Sequence, residues 1–133
     1  MNVGDIVAER TVHLTRESLV RYAGASGDFN PIHYRDDIAT EVGLPGVLAH
    51  GMLTMGVASS VAVAALPRTA RILDYGVRFA RPVVVDPKTG ADIAITAKVG
   101  AVDETAVRID LTVRFADTTV LVKAQLRIAA DSL

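Results

Sequence analysis

The chain has 133 residues, half of them hydrophobic, and a net charge of -1 without a run of like charges. This length predicts one domain with one core, residues 1–133. The charge pattern excludes a dedicated nucleic-acid surface, which needs clustered Lys and Arg. The lack of cysteine excludes disulfides, thiol nucleophiles and Cys-based metal sites. No basic segment followed by an apolar run opens the chain, so we expect no signal peptide and a cytoplasmic protein.

The first part of the chain predicts one strand followed by helices. The strand covers about Ile6 to Leu14, and Thr15 is then a good N-cap for a helix that ends near Gly24 to Gly27. The stretch SGDFNPIH, residues 26–33, is expected to be a loop, because its proline disfavours helix at the residue before it. A short helix is predicted at about Asp36 to Val42.

The uncharged stretch from Val47 to Leu66 is long enough to cross a bilayer. It is built from Ala, Gly, Ser, Thr and Val rather than Leu and Ile, and it ends before Pro67. A helix that is apolar on all sides is either a core helix or a membrane span. The small side chains favour close packing, so we predict a helix buried in a soluble core and no membrane insertion.

The second half alternates apolar and polar residues, as strands covered on one face do. A strand is predicted at Arg71 to Ala80, and turns at residues 103–104 and 117–118 separate further strands after the DPKTG loop, residues 86–90. The inward-facing residues predicted for the last strand are Val120, Val122, Ala124, Leu126 and Ile128. The whole pattern predicts an α+β fold with helices on one face of an antiparallel sheet.

Three residues that can carry chemistry, Asp28, Asn30 and His33, lie within six positions of the proline-stiffened loop. A carboxylate and an imidazole this close can act as general base and acid on one water, and the charge of Asp28 would hold the imidazole tautomer. A structural alternative is an Asx-turn loop with His33 half exposed. A metal site from Asp28, His33 and Asp36 or Asp37 is a weaker alternative, because the spacing matches no metal motif.

The start of the long helix offers a second candidate element. Gly51 lies in its first turn, where amides lack intrahelical acceptors and can bind negative charge that develops on oxygen. Gly51 could equally be a glycine selected for helix–sheet packing. His50 is more typical of a hydrogen-bonded structural histidine than of a ligand, and Ser59, two turns into the helix, reads as a small packing residue.

Together these residues resemble the MaoC-like hydratases and dehydratases, a hot-dog-fold family. YAGASGDFNPIHYRDDIA, residues 22–39, is similar to the hydratase-2 motif, and LAHGMLTMG, residues 48–56, to the start of the hot-dog helix. YGVRFARPVVV, residues 75–85, is similar to the strand that follows. Within the family the likeness is greatest to the catalytic B-type subunit of (3R)-hydroxyacyl-ACP dehydratase. The resemblance implies a single hot-dog domain in which an antiparallel sheet wraps a long central helix.

The resemblance also implies a hydro-lyase that interconverts a (3R)-3-hydroxyacyl thioester and a trans-2-enoyl thioester of fatty-acid metabolism. Asp28 and His33 would be the catalytic pair acting on one water, and Asn30 would support the loop. The Gly51 amide would bind the thioester oxygen, and Ser59 would match an active-site serine of some (R)-hydratases. No metal or organic cofactor is expected. The alternative is a non-catalytic hot-dog subunit that binds acyl chains or stabilises a catalytic partner.

The resemblance leaves the substrate carrier and the partner subunit undecided. The substrate carrier is CoA or acyl carrier protein, and four arginines could meet its phosphopantetheine or form an ordinary solvated face: Arg68, Arg71, Arg78 and Arg81. Similarity to (R)-specific enoyl-CoA hydratases implies a homodimer. Similarity to the B-type subunit implies a heterodimer with a second hot-dog subunit. Acyl-chain length and the physiological direction are likewise undecided.

Overall fold

The alternating segments form one antiparallel sheet. In the computed structural model, which describes residues 1–133, the strands are β1 Ile6–Leu14, β2 Ile72–Phe79, β3 Ala91–Val102, β4 Ala106–Phe115 and β5 Thr118–Ala129. Their order across the sheet is β1-β3-β4-β5-β2, so β1 and β2 form its two edges. Short turns join β3 to β4 and β4 to β5 as hairpins. The predicted α+β architecture is confirmed.

Three helices precede the hairpins: α1 Arg16–Ser26, α2 Asp36–Glu41 and α3 Gly51–Val63, with short 3-10 helices at Pro31–His33 and Ala130–Ser132. Thr15 caps α1 as predicted. Its hydroxyl accepts from the Ser18 amide at 3.3 Å, and the Ser18 hydroxyl accepts from the Thr15 amide at 3.0 Å, which is a capping box. At the other end Gly27 takes a left-handed conformation with φ 76°, which turns the chain into the following loop.

The central helix α3 is shorter than the predicted Val47 to Leu66. It begins at Gly51, because the four residues before it are extended and Leu48 bridges Val84 in an antiparallel pair. The Ala49 amide donates to the Val83 carbonyl at 2.9 Å, so this backbone is satisfied outside a helix. No helix of the structure combines the length and apolarity needed to cross a membrane.

The prediction that α3 is buried on all sides is also wrong for the isolated chain. The helix packs on one face of the sheet against β1, β3 and β4. Its buried residues are small and lie on that side: Thr54, Ala58, Val61 and Ala62. Met52, on the other side, is 59% exposed. One sheet can cover only one side of a helix, and the result is the hot-dog arrangement that the resemblance implies.

A β-bulge changes the inward-facing set of β5. Leu121 pairs with Val113 and Ala124 with Leu111, so two residues of β5 lie opposite one of β4. Lys123 accommodates the extra residue with a φ of 49°. Val122 is therefore 39% exposed, although strict alternation predicted it to face inward, and its neighbour Leu121 is buried instead.

Candidate active site

The loop after α1 is built from side chains that bond their own backbone. The Asp28 amide donates to the Ser26 hydroxyl at 3.1 Å, and the Asn30 amide donates to Asp28 Oδ1 at 3.2 Å. Asn30 Oδ1 in turn accepts from the Ile32 amide at 3.2 Å, which caps the 3-10 helix. The bonds to Asp28 and Asn30 form Asx turns, as the structural alternative expected, and the bond to Ser26 forms the equivalent serine turn. They bind only one oxygen of Asp28, so Oδ2 is free for another contact.

His33 faces that free oxygen with one ring nitrogen. Its Nδ1 lies 2.7 Å from the Leu48 carbonyl, which can only accept, so Nδ1 carries the proton. The neutral ring therefore has an unprotonated Nε2, and this atom lies 4.0 Å from Asp28 Oδ2. His33 is only 8% exposed, so the expectation of a half-exposed histidine is wrong.

The distance between the two side chains suits a shared small molecule. A separation of 4.0 Å is too long for a direct hydrogen bond. A water about 2.8 Å from each atom can contact both. The side chain of Asp28 is half exposed, whereas that of His33 is nearly enclosed, so such a water would reach His33 from the Asp28 side. The pair can thus hold and deprotonate one water.

His50 lies against both members of the pair. Its ring stacks on His33 with centroids 3.8 Å apart and an interplanar angle of 22°. It also packs against the Tyr22 ring in an edge-to-face arrangement, with centroids 4.7 Å apart. His50 Nε2 donates to the Asp28 carbonyl at 3.2 Å, whereas its buried Nδ1 has no partner. Burial lowers the pKa of His50 below its usual range, although the bond to the Asp28 carbonyl opposes the shift. His50 is therefore a neutral residue that is only half satisfied.

The same three side chains also form a cluster that could be tested as a metal site. Asp28, His33 and His50 each offer one ligand atom within 4.8 Å of the others. Yet the two imidazoles are nearly parallel, so their lone pairs do not converge on one ion at the usual ~2.0–2.1 Å. Asp36 and Asp37, the other expected ligands, bond Arg16 and Arg35 respectively. The donor set fits acid–base chemistry better than metal binding.

A pocket of about 310 Å³ opens beside His33. Its twelve lining residues, seven of them hydrophobic, are His33, Leu48, Ala49, Gly51, Thr54, Phe79, Ala80, Arg81, Pro82, Val83, Val120 and Leu121. The pocket brings the His33 ring together with Gly51, the first residue of α3, whose amide has no acceptor in the helix. A Cβ on Gly51 would lie 2.9 Å from Phe79 Cε1, so a larger residue here would require the exposed Phe79 ring to shift.

Several of the sequence-based candidates do not line this pocket: Asp28, Asn30, Ser59 and three of the four arginines. The Ser59 hydroxyl donates to the Gly56 carbonyl at 3.0 Å, and Ser59 does not line the pocket. Among the four arginines only Arg81 lines it, while Arg71 pairs with Asp131 at 2.5 Å. The structure therefore places Ser59 outside the pocket that His33 and Gly51 line.

Sequence reasoning did not single out most of the pocket wall, and Thr54 and Phe79 are two examples. Thr54 lies one helical turn after Gly51, and this i+3 spacing was a usable signal. Phe79 comes from the end of β2, and no local pattern indicates that this strand end meets the start of α3.

Comparison with known proteins gives a consistent set of relatives. The family model described as "MaoC like domain" matches residues 3–120. The 3-hydroxyacyl-thioester dehydratase X of Mycobacterium tuberculosis is 37% identical over 83 residues, which are 62% of this chain and 29% of that protein. The chain spans less than two thirds of the length of the curated relatives it matches.

Two solved structures are similar over almost the whole chain. A MaoC-like dehydratase superposes with a TM-score of 0.90 and 34% identity, covering 97% of this chain and 40% of that one. The R-hydratase PhaJ1 from Pseudomonas aeruginosa superposes with a TM-score of 0.84 and 28% identity, covering 98% and 82%.

Proposed function

The chain belongs to the MaoC-like domain family, and we propose that it is a hydro-lyase that interconverts a (3R)-3-hydroxyacyl thioester and a trans-2-enoyl thioester. The observation that carries this proposal is the 4.0 Å gap between Asp28 Oδ2 and His33 Nε2, with the His33 tautomer held by Leu48. Relatives named as a dehydratase and an R-hydratase support the same reaction class.

In the hydration direction the pair acts on one water. His33 Nε2 accepts a proton from the water as the water oxygen bonds to C3 of the enoyl thioester. The electrons of the double bond move to C2 and toward the thioester oxygen, and the His33 imidazolium then returns a proton to C2. Asp28 orients the water and stabilises the imidazolium charge. One molecule of water is added in total, and dehydration reverses these steps.

The thioester oxygen would be bound by the Gly51 amide. As enolate-like charge develops on this oxygen, an amide at the start of α3 stabilises it, because the helix N-terminus carries partial positive charge. The mainly apolar pocket beside His33 and Gly51 offers room for the reacting end of an acyl chain. Arg81, at the same pocket, is the arginine best placed to meet a phosphorylated carrier.

We also propose that the chain, as one hot-dog domain, pairs with a second hot-dog subunit, either a copy of itself or a different chain. Support comes from apolar side chains that the isolated chain leaves exposed on α3 and on the edge strand β2. They are Met52, Val63, Ile72, Leu73 and Phe79. Phe79 also lines the candidate pocket, so a partner on this edge would border the site.

The test is an assay of the purified chain against crotonyl-CoA and longer enoyl-CoAs, with Asp28→Asn beside it. Asparagine keeps an oxygen that can accept from the Asn30 amide, so the turn survives. It lacks the charge with which a carboxylate orients a water. We expect activity to fall by about 10²–10⁴-fold. Asp36→Asn, which breaks only the exposed pair with Arg16, is the matched control and should retain activity.

Full activity of Asp28→Asn would contradict the proposed chemistry. A folded wild-type chain that binds acyl thioesters but never converts them, even with a second hot-dog subunit added, would instead favour the non-catalytic subunit.

A further inference from the structure

We propose that His50 is a positioning residue, whose Nε2–H holds the Asp28 backbone and thereby keeps the Asp28 carboxylate at its working separation from His33. This inference rests on the proposed function. His50 is the one side chain that contacts both members of the pair. It donates to the Asp28 carbonyl at 3.2 Å and stacks on the His33 ring at 3.8 Å.

The unsatisfied nitrogen of His50 indicates that its bond to Asp28 is needed. Because Nε2 donates, Nδ1 is left as a buried acceptor without a partner, which is unfavourable. A leucine or phenylalanine would fill the same space without leaving a buried acceptor unpaired. Such exceptions in a folded protein call for an explanation, and a role at a functional site is one. The Nε2–H directed at the Asp28 backbone supplies the reason for a histidine here.

The surroundings of His50 keep its ring in one place and one protonation state. Tyr22 contacts one part of the ring and His33 stacks on its face, so the imidazole is held from two directions. Burial lowers its pKa, which prevents a second positive charge beside the His33 imidazolium. A neutral, buried and stacked ring suits a positioning role rather than proton transfer to substrate.

The position of the Asp28 backbone sets the reacting distance. The Asp28 peptide lies in the loop between α1 and the 3-10 helix, and its carbonyl has no other recorded hydrogen-bond partner than His50. If this bond is lost, the loop can move the carboxylate away from His33 while the local Asx turns stay intact. A displacement of about 1 Å at a catalytic group can reduce the rate about 10²-fold.

Two amide substitutions separate positioning from simple packing. In His50→Gln the side-chain N–H stands as many bonds from Cβ as Nε2 does in histidine, so it can still reach the Asp28 carbonyl. In His50→Asn the N–H takes the place of Nδ1 and cannot. We expect His50→Asn to lower kcat for crotonyl-CoA hydration by about 10–100-fold with KM little changed, and His50→Gln to stay within about 5-fold of wild type. His13→Gln, at an exposed histidine paired with Asp92, controls for the substitution itself.

A second measurement does not depend on activity. Ring ¹⁵N NMR of the wild type should show His50 neutral and protonated at Nε2. Loss of the stacked ring moves the His33 ring signals in both variants, and the movement should be larger in His50→Asn than in His50→Gln. Equal kcat in the two variants, or a His50 proton on Nδ1, would overturn the proposal. If the wild type hydrates no enoyl-CoA, the proposed function fails, and the NMR comparison alone decides whether His50 positions Asp28 relative to His33.

Discussion

The Leu48 carbonyl determines what His33 can do. By accepting from Nδ1 it leaves Nε2 as the only basic nitrogen, and this atom faces Asp28 rather than the core. An imidazole with the opposite tautomer would present a donor to Asp28 and could not take a proton from water. A single backbone acceptor, 15 residues away along the chain, thus decides which nitrogen of His33 faces Asp28 without a proton.

His33→Asn and His33→Gln test the separate roles of the two ring nitrogens, Nδ1 toward Leu48 and Nε2 toward Asp28. Asparagine keeps an N–H at the Nδ1 position for Leu48, and glutamine keeps a nitrogen near the Nε2 position, but neither amide is basic. We expect both variants to lose about 10²–10⁴-fold in kcat. Only His33→Gln should also lose stability, by about 1 kcal/mol, because the Leu48 carbonyl loses its donor. The hydration assay measures kcat, and urea unfolding measures the free energy of unfolding. A variant that keeps wild-type kcat would rule out His33 as the base.

At the scale of elements, the candidate site lies where three backbone segments begin or end. The loop after α1 brings Asp28, the 3-10 helix brings His33, and α3 begins at Gly51. The extended residues before α3 connect these ends, since the Leu48 amide donates to the Ile32 carbonyl at 3.1 Å and Val85 donates to Val47 at 3.0 Å. Segment ends carry unpaired backbone groups, which explains why the candidate oxyanion donor lies at one of them.

Gly51→Pro and Gly51→Ala form a matched pair at the start of α3. Both add a Cβ next to the Phe79 ring, but only proline removes the amide hydrogen. Proline is tolerated at the first helical position, and His50 has φ -59° and ψ 133°, which suit a residue before proline. We expect kcat to fall about 10²–10³-fold in Gly51→Pro and less than about 10-fold in Gly51→Ala. Equal losses would favour a packing role for Gly51 alone.

At the scale of the whole molecule, helix and sheet are joined by a hydrogen bond as well as by apolar packing. The Tyr75 hydroxyl, on β2, donates to the Met55 carbonyl of α3 at 2.7 Å. Burial raises the pKa of Tyr75 to about 12, above the ordinary value of about 10. The phenol therefore stays protonated in the folded chain at a pH where the unfolded chain has already lost that proton.

Tyr75 is expected to make stability fall at high pH. Below about pH 10 its contribution is fully present, and it is lost as pH rises through about 12, because the native state then binds more protons than the unfolded state. Tyr75→Phe should remove that part of the decline, so the stability difference between wild type and variant should shrink between pH 9 and about 12. Urea unfolding across this range measures it. If the free energies of unfolding of wild type and Tyr75→Phe change equally with pH, the prediction is contradicted.

The proposed pairing of two subunits predicts a native mass above the 14.1 kDa of one chain, and twice that value if the partner is a second copy. Leu73 is exposed on the edge strand β2, and lysine on an edge strand blocks pairing with another chain. We expect Leu73→Lys to reduce the mass to that of one chain in analytical ultracentrifugation. Val20→Lys, which places the same charge on exposed α1, should leave the mass unchanged. A wild-type chain that stays monomeric with every hot-dog partner tested would contradict the proposal.

Much of the fold could be predicted from the sequence because its signals are local. Alternation identified the strands from Ala91 on. Thr15 was predicted as the N-cap of α1 and the helix end near Gly24 to Gly27, where Gly27 is the C-cap, and the end of β1 was predicted at Leu14, where it lies. The errors have tertiary causes. The residues before Gly51 are extended because Leu48 meets Val84, and Val122 faces outward because Lys123 forms a bulge opposite β4. Neither partner strand is visible in the local pattern.

The sequence by itself determined the residue types of the candidate site: a carboxylate and an imidazole in one stiff loop, and a glycine at a helix start. It also determined their spacing along the chain, which is a property of covalent order. Only the tertiary structure decided that His33 has its free nitrogen toward Asp28, that Gly51 and Phe79 share its pocket, and that His50 lies against the pair. It likewise placed Ser59 outside the pocket. These facts depend on contacts between segments far apart in sequence, and such contacts form only when the sheet, the loop and α3 pack together.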